Sequence, residues 1–424
     1  MKLGEVSNSE AAEFGRPLEG VKILALEQMQ SLPWATQMLA RLGADVVKVE
    51  HPQYGESGRA SQPAISDPNG RSMGATFLRT NLNKRSIGID IKSAEGQELI
   101  RKLATQFDVV CENFKPGTLE KMGLDYRSLA KISSKMIYLS VSGFGNTRES
   151  PYKSWPAFAS VAEAMSGLYE SQSPPLMNPV PGLGDTGTGL FSVIGVLAAL
   201  RHRELTGLGQ YVDISMFDSM LSVGDYPLNV WSMGIQPKPN EKANQPGLAA
   251  RFQACDGAFI VQTYRENQFE RFARAVGREE WLRDFRLATR TDWSRNADTV
   301  LKPAVDNWAK DKTMVEACEI LASAGVACAP CMRPSDLFED PHVAAHDMLV
   351  EIPQPSGKGD PVVVAGNPLK FSRVVDGGDK RMPWVGEHTE AVLKEDLGLS
   401  NEEIAQLEER GVISKLVPVN FPGE

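Results

Sequence analysis

A strand, a helix and a second strand follow one another within about thirty residues near the amino end, and no other feature restricts the fold as much. Val21–Leu26 is an apolar run of strand length, Trp34–Leu42 carries apolar residues at helical spacing, and Val46–Glu50 is a second strand. Two strands joined through a helix run parallel, and such crossovers are almost always right-handed. Gly43 stands where a helix ends on a left-handed cap. Parallel sheets are covered by helices on both faces, so this stretch predicts an α/β fold with a Rossmann-like parallel sheet.

The pattern continues along the chain. Asn83–Lys92, Asp108–Glu112, Met136–Ser142 and Tyr211–Ile214 read as strands, with helices at Ala94–Phe107, Thr118–Met122, Tyr126–Ile132, Ala157–Leu168 and Leu190–Leu200. Leu190–Leu200 is apolar or small almost throughout and predicts a helix buried on most faces. Pro237, Pro239 and Pro246 mark a linker, beyond which short strands and helices of mixed composition predict a smaller α+β domain. The expected division is 17–215 for the first part of the large domain, 216–335 for linker and small domain, and 336–424 for a segment returning to the large one.

At 424 residues and 42% hydrophobic, the chain can bury two cores. A net charge of -9 argues against a non-specific grip on nucleic acid or an anionic membrane. Met1–Arg16 is polar and acidic, unlike a signal peptide, and no apolar run reads as long enough to span a membrane, which predicts a cytoplasmic protein. Five scattered cysteines do not make a disulfide framework. Cys328 and Cys331 form a Cys-x-x-Cys, but Val326–Pro330 reads as a short buried strand, a poor setting for redox or zinc chemistry. No metal is predicted.

The candidate reacting group is Asp185, the lone carboxylate of Pro181–Gly189. Gly182-x-Gly184-x-x-Gly187 also satisfies a dinucleotide fingerprint, which requires a preceding strand. The prolines at 174, 175, 179 and 181 exclude a central strand there, leaving a capping loop or a catalytic one. Asp185 at a helix start is expected to stay ionised in the positive end of the helix, with Gly184 and Gly187 leaving room for a substrate. Gln30 and Ser31 follow the first strand at the edge where open parallel sheets bind ligands, although a hydrogen bond within its own loop accounts equally well for Gln30. Lys84, Arg85 and Lys92 form a basic cluster suited to phosphate or to a solvated face. Asn113 and Phe114, just past a strand, suit the edge and face of a nucleotide base.

Several segments together resemble the class III CoA-transferases, the family of formyl-CoA:oxalate and carnitine CoA-transferases. They are residues 18–24, 42–50, 83–92, 112–118, 140–145, 184–189, 206–210 and 386–389. The resemblance implies a large Rossmann-like domain built from both chain ends, a small domain, and two chains interlocked as rings, of like or homologous kind. It implies that Asp185 is the nucleophile and that Gln30 sits at the reacting carbonyl. His51, Arg59, Ile89, Lys92, Asn113, Phe114 and Lys121 fall to the CoA site, and Ser31, Gly184, Ser142 and Phe144 to the oxyanion or acyl pocket. The substrates it implies are an acyl-CoA of succinyl-CoA type and a free carboxylic acid, with no tightly bound cofactor. Where the oxalate enzyme has an arginine this chain has His51, with Arg59 nearby as a substitute, and Ser142 replaces a lysine. The run of glycines over the oxalate site is absent from Gln236–Phe252. Leu32 and Trp34 beside Gln30 point to a larger or more apolar acyl group, or to a core position. An α-methylacyl-CoA racemase would need a histidine that Trp155–Ser160 lacks, and a non-catalytic subunit of a heteromer is the remaining alternative.

Overall fold

Six parallel strands and one short antiparallel strand form the main sheet of the computed structural model, which describes residues 1–66, 70, 72–170, 180–234, 246–355 and 357–416. The strands are β1 (Lys22–Leu26), β2 (Asp45–Glu50), β3 (Arg85–Ile89), β4 (Val109–Glu112), β5 (Ile137–Ser142), β6 (Tyr211–Ser215) and β7 (Ile413–Ser414). Their order is β7-β3-β2-β1-β4-β5-β6, with β7 antiparallel on β3, so the carboxyl end of the chain completes a sheet that its amino end begins. The order reverses between β1 and β4, where Ile23 lies beside Val46 on one side and Val109 on the other.

Alternation along each strand builds two cores. Leu24, Val47, Ile87 and Val110 enter the core on one face, while Ile23, Val46, Val109 and Ile137 enter the core on the other. Helices α1 (Ser31–Arg41), α2 (Ala94–Ala104), α3 (Ala159–Met165), α4 (Leu183–Thr206) and α5 (Met216–Val223) belong to this unit, which comprises residues 1–234 and 342–424.

Helix α4 differs most from expectation. It begins at Leu183 rather than Leu190 and has 24 residues, long and apolar enough by length and composition to cross a membrane. Only half of it is buried: Leu190, Ile194 and Leu197 are exposed, while Thr188, Ser192 and Val196 pack inward. Glycines at 184, 187 and 189 hide its first turns from a reading by propensity, since each costs about 1 kcal/mol against alanine in a helix. Residues 171–179 of the preceding coil and 235–245 of the linker, with Pro174, Pro175, Pro179, Pro237 and Pro239, lie outside the described residues.

The second unit, residues 235–341, has an antiparallel sheet ordered Ala327–Pro330, Ala258–Thr263, Leu248–Gln253 and a core that includes Phe252, Phe272, Trp281 and Trp293. Ala327–Pro330 is an edge strand with partly exposed side chains, not the buried strand expected, because only Ala258–Thr263 pairs with it. All five cysteines are free thiols.

Candidate active site

Parallel strands end at one edge, so the residues following β1, β2, β3, β4 and β5 gather there, and at the switch point the loops after β1 and β4 flank a crevice. Asn113 ties those two loops together: its Oδ1 accepts the Gln28 N–H at 3.0 Å and its Nδ2 donates to the Gln28 carbonyl at 2.9 Å. The Glu112 carboxylate accepts the Phe114 N–H at 2.8 Å and the Ser140 hydroxyl, and burial pushes its pKa up to about 7. Next in the first loop, Met29 takes a left-handed conformation, φ 64°, held by its N–H donating to Glu56 at 2.9 Å. Such a conformation costs on the order of 1–3 kcal/mol in a non-glycine residue. It turns the chain so that Gln30 enters α1 buried at the crevice.

Helix α4 crosses back from β5 to β6, so its amino end meets this same edge. Asp185 lies in its first turn. The Gln30 amide lies against Gly182, close enough that a side chain there would meet Nε2 at 2.6 Å. Arg79 donates to Gln30 Oε1, which fixes the amide with its nitrogen free to donate. Behind Asp185, buried Glu163 accepts the Gly184 N–H at 2.8 Å and the Tyr169 hydroxyl at 2.8 Å. Loss of solvent raises the Asp185 pKa to about 6; Arg79 opposes that rise and Glu163 adds to it. Burial therefore outweighs the positive helix end in setting this pKa, yet at about 6 the carboxylate is still mostly ionised at pH 7. Ser31 Oγ is buried with no hydrogen-bond partner among the described residues.

The glycines serve packing rather than substrate space. A β-carbon on Gly184 would meet the Ala159 carbonyl oxygen at 2.8 Å and its Cα at 2.9 Å, and one on Gly187 would meet Met220 Cε at 2.5 Å. The first obstacle is backbone and cannot swing aside. Gly184→Ala is expected to push α3 from α4 and lower the unfolding free energy by about 1–3 kcal/mol, as chemical unfolding would show; an unchanged free energy would mean that the helices do not need this approach. Gly189 likewise leaves room for Trp34, whose Cε3 would stand 2.8 Å from an added β-carbon. Trp34 thus fills a helix contact, the core alternative, instead of shaping an acyl pocket.

Other expected residues are placed as follows. His51 stacks on Tyr54 with ring centroids 4.4 Å apart. Lys92 and Lys121 are exposed, and Phe114 is half-buried against the core. Arg59 is buried, donates to both Glu50 oxygens at 2.6 and 2.7 Å, and covers the Phe77 ring, so it does not replace a CoA-contacting arginine. Ile89 is a core side chain in register with Ile413, so only its main chain is left for a contact with CoA. Lys84 is buried against Glu27 and half-buried Arg85 pairs with Asp45 and Glu395, which leaves Lys92 as the exposed, unpaired member of the basic cluster among the described residues. Ser142 Oγ accepts the Gly145 N–H at 3.0 Å, and Phe144 is buried among Tyr152, Trp155 and Phe217. A cavity of about 510 Å³ lies beside the ends of β4 and β5, with Lys115, Tyr126, Lys153 and Tyr211 in its wall and without Asp185 in its lining.

Sequence reasoning missed Arg79 and Glu163. The helix before Arg79 has four residues, Ala75–Leu78, too few to show a period. Glu163 had one available signal, a carboxylate on an otherwise small and apolar helix.

CoA-transferase family III matches residues 18–389. The succinyl-CoA–L-malate CoA-transferase beta subunit of Chloroflexus aurantiacus is 34% identical over 412 residues, covering 94% of this chain and 98% of that one. The succinyl-CoA:mesaconate CoA-transferase of Haloarcula hispanica is 32% identical over 398 residues, covering 89% and 96%. A crystal structure of a CAIB/BAIF family protein from Brucella suis superposes with a TM-score of 0.78 at 34% identity, covering 90% and 99%. An α/β sheet of this order, an aspartate and a glutamine at its carboxyl edge, and relatives matched over nearly their whole length lead to one conclusion: the chain belongs to CoA-transferase family III.

Proposed function

We propose that this protein moves CoA from a short acyl-CoA of the succinyl-CoA type to a free carboxylic acid through covalent intermediates on Asp185. The observation that carries the reading is a half-buried carboxylate in the first turn of α4 beside the oriented amide of Gln30. Asp185 attacks the thioester carbonyl, the carbon–sulfur bond breaks, and CoA leaves as thiolate from an acyl-aspartyl anhydride. The thiolate then attacks the aspartyl carbonyl, which releases the donor acid as carboxylate and leaves an aspartyl-CoA thioester. An incoming carboxylate reverses both steps and departs as the new CoA ester. Gln30 Nε2 supplies the hydrogen bond to the oxyanion, and a preorganised donor of this kind contributes about 3 kcal/mol. The Gly184 N–H is not that donor, because Glu163 already holds it. Burial of the crevice limits hydrolysis of the anhydride.

CoA is assigned to the loops after β2, β3 and β4, with Asn113, Phe114, Lys92, Lys121 and His51 as its contacts. Exposed Leu190, Ile194, Tyr226 and Trp231 support association of this chain with a second copy or a homologous one. Incubating the protein with a panel of acyl-CoAs and trapping with hydroxylamine tests the reading. Conversion of Asp185 to a hydroxamate, found by peptide mass spectrometry, is expected; no modification by any donor would favour a non-catalytic subunit.

A further inference from the structure

Exchange of CoA between two carboxylates requires a nucleophile, a donor at the reacting carbonyl and a dry crevice. It does not require a fixed cation whose field weakens the nucleophile, yet Arg79 is such a cation. Its backbone is fastened from α1: Gln37 Nε2 donates to the Arg79 carbonyl at 3.0 Å while Gln37 Oε1 accepts the Leu82 N–H at 2.8 Å. Its guanidinium donates to the neutral oxygen of Gln30. It forms no ion pair among the described residues, although Asp185 and Arg79 each feel the other's charge. Arg79 retains solvent access, but enough protein surrounds it that desolvation lowers its pKa, with Asp185 opposing.

A guanidinium has five donors in a planar fork that matches a carboxylate, and a partly desolvated cation that feels Asp185 but has no carboxylate in contact among the described residues favours an anionic guest. The guest must also reach the reaction, because Arg79 touches the same amide that meets the reacting carbonyl. The two ends of one short molecule satisfy both conditions. We propose that Arg79 is a specificity residue that receives the distal carboxylate of a short dicarboxylic acyl group while the other end reacts between Gln30 and Asp185. This rests on the CoA-transferase reading and adds to it the group that selects the acid. Once that distal carboxylate is bound, the Arg79 charge is neutralised and its drag on Asp185 is relieved.

The test compares succinyl-CoA with butyryl-CoA, which has the same chain length and a methyl group in place of the distal carboxylate. Single-turnover modification of Asp185 needs no acceptor and is read by mass spectrometry for wild type, Arg79→Gln and Arg79→Lys. Wild type is expected to prefer succinyl-CoA. Arg79→Gln is expected to lower the succinyl-to-butyryl ratio by about 100-fold, the scale for losing a charged partner in a site built for it, and Arg79→Lys to restore part of it. Equal slowing with both donors would assign Arg79 to the reacting carboxyl and overturn the proposal, as would a wild type without preference. Thermal protection by succinate and by butyrate supplies a readout independent of turnover. Succinate protection that is lost in Arg79→Gln supports the proposal even if Asp185 is never modified, a result that would fell the transferase reading alone. Equal protection by the two acids in both proteins would overturn it.

Discussion

Asp185→Asn is expected to lose CoA exchange by at least about 10⁴-fold, the scale on which removal of a covalent nucleophile acts, while the fold is retained. The amide keeps the shape of the carboxylate, so loss of activity with an unchanged spectrum of secondary structure isolates the chemistry. The carboxylate attacks in its ionised form, and its pKa of about 6 places an acid limb in the single-turnover rate of the wild type near that pH. Stability carries the opposite signature. A carboxyl raised from 3.8 to about 6 on folding binds more protons in the native state across that window, so its contribution weakens as pH rises through it. At pH 7 Asp185→Asn is therefore expected to melt no lower than wild type, and the wild type to gain on the variant as pH falls from 6 toward 4. Retained exchange in Asp185→Asn would sink the covalent mechanism; melting below wild type at pH 7 would show that the carboxylate is a structural group rather than a poised one.

The sheet was legible because its strands are apolar runs separated by helical periods, and parallel pairing follows from their spacing alone. Asp185 was legible as a carboxylate at a helix start; that this start lies at the strand ends follows from the fold, since a helix that returns to a parallel sheet begins at its carboxyl edge. Three things were not. The start of α4 was masked by glycines whose function is close approach to Ala159, Met220 and Trp34, contacts that a single chain segment does not reveal. The guanidinium of Arg79 is meaningful only beside Gln30, 49 residues earlier. The basic cluster was misread because charges in strands look like surface until their partners are known. Lys84 meets Glu27 from 57 residues away and Arg85 meets Asp45 from 40.

That buried partnership sets the largest expected stability effect, in Glu27→Gln. Glu27 is fully buried at the end of β1; Lys84 Nζ stands 2.7 Å from Oε1, Lys48 Nζ 3.4 Å from the same oxygen, and Thr36 donates to Oε2 at 2.7 Å. Burial opposes its charge, but the two lysines outweigh burial and hold its pKa below the ordinary value. Removing the carboxylate charge leaves two buried ammonium groups, with Glu56, 3.6 Å from Lys48, and Glu50, itself paired with Arg59, as the carboxylates still acting on Lys48. Breaking a buried ion pair at one partner costs about 3–5 kcal/mol, and chemical unfolding of the large unit should show that loss. Burial lowers the Lys84 pKa to about 8 even with Glu27 present. A base lowered on folding binds fewer protons in the native state, so stability rises with pH between about 8 and 10.5. Without Glu27 that relief begins at lower pH, and the deficit of Glu27→Gln is expected to narrow as the solution is made more alkaline. Glu27 immediately precedes the Gln28–Gln30 turn, so the same substitution is expected to slow modification of Asp185 in protein that is still folded. A deficit below about 1 kcal/mol, the range of a surface pair, would mean that the loop carrying Gln30 is held by Asn113 and Glu56 rather than by the charges beneath it.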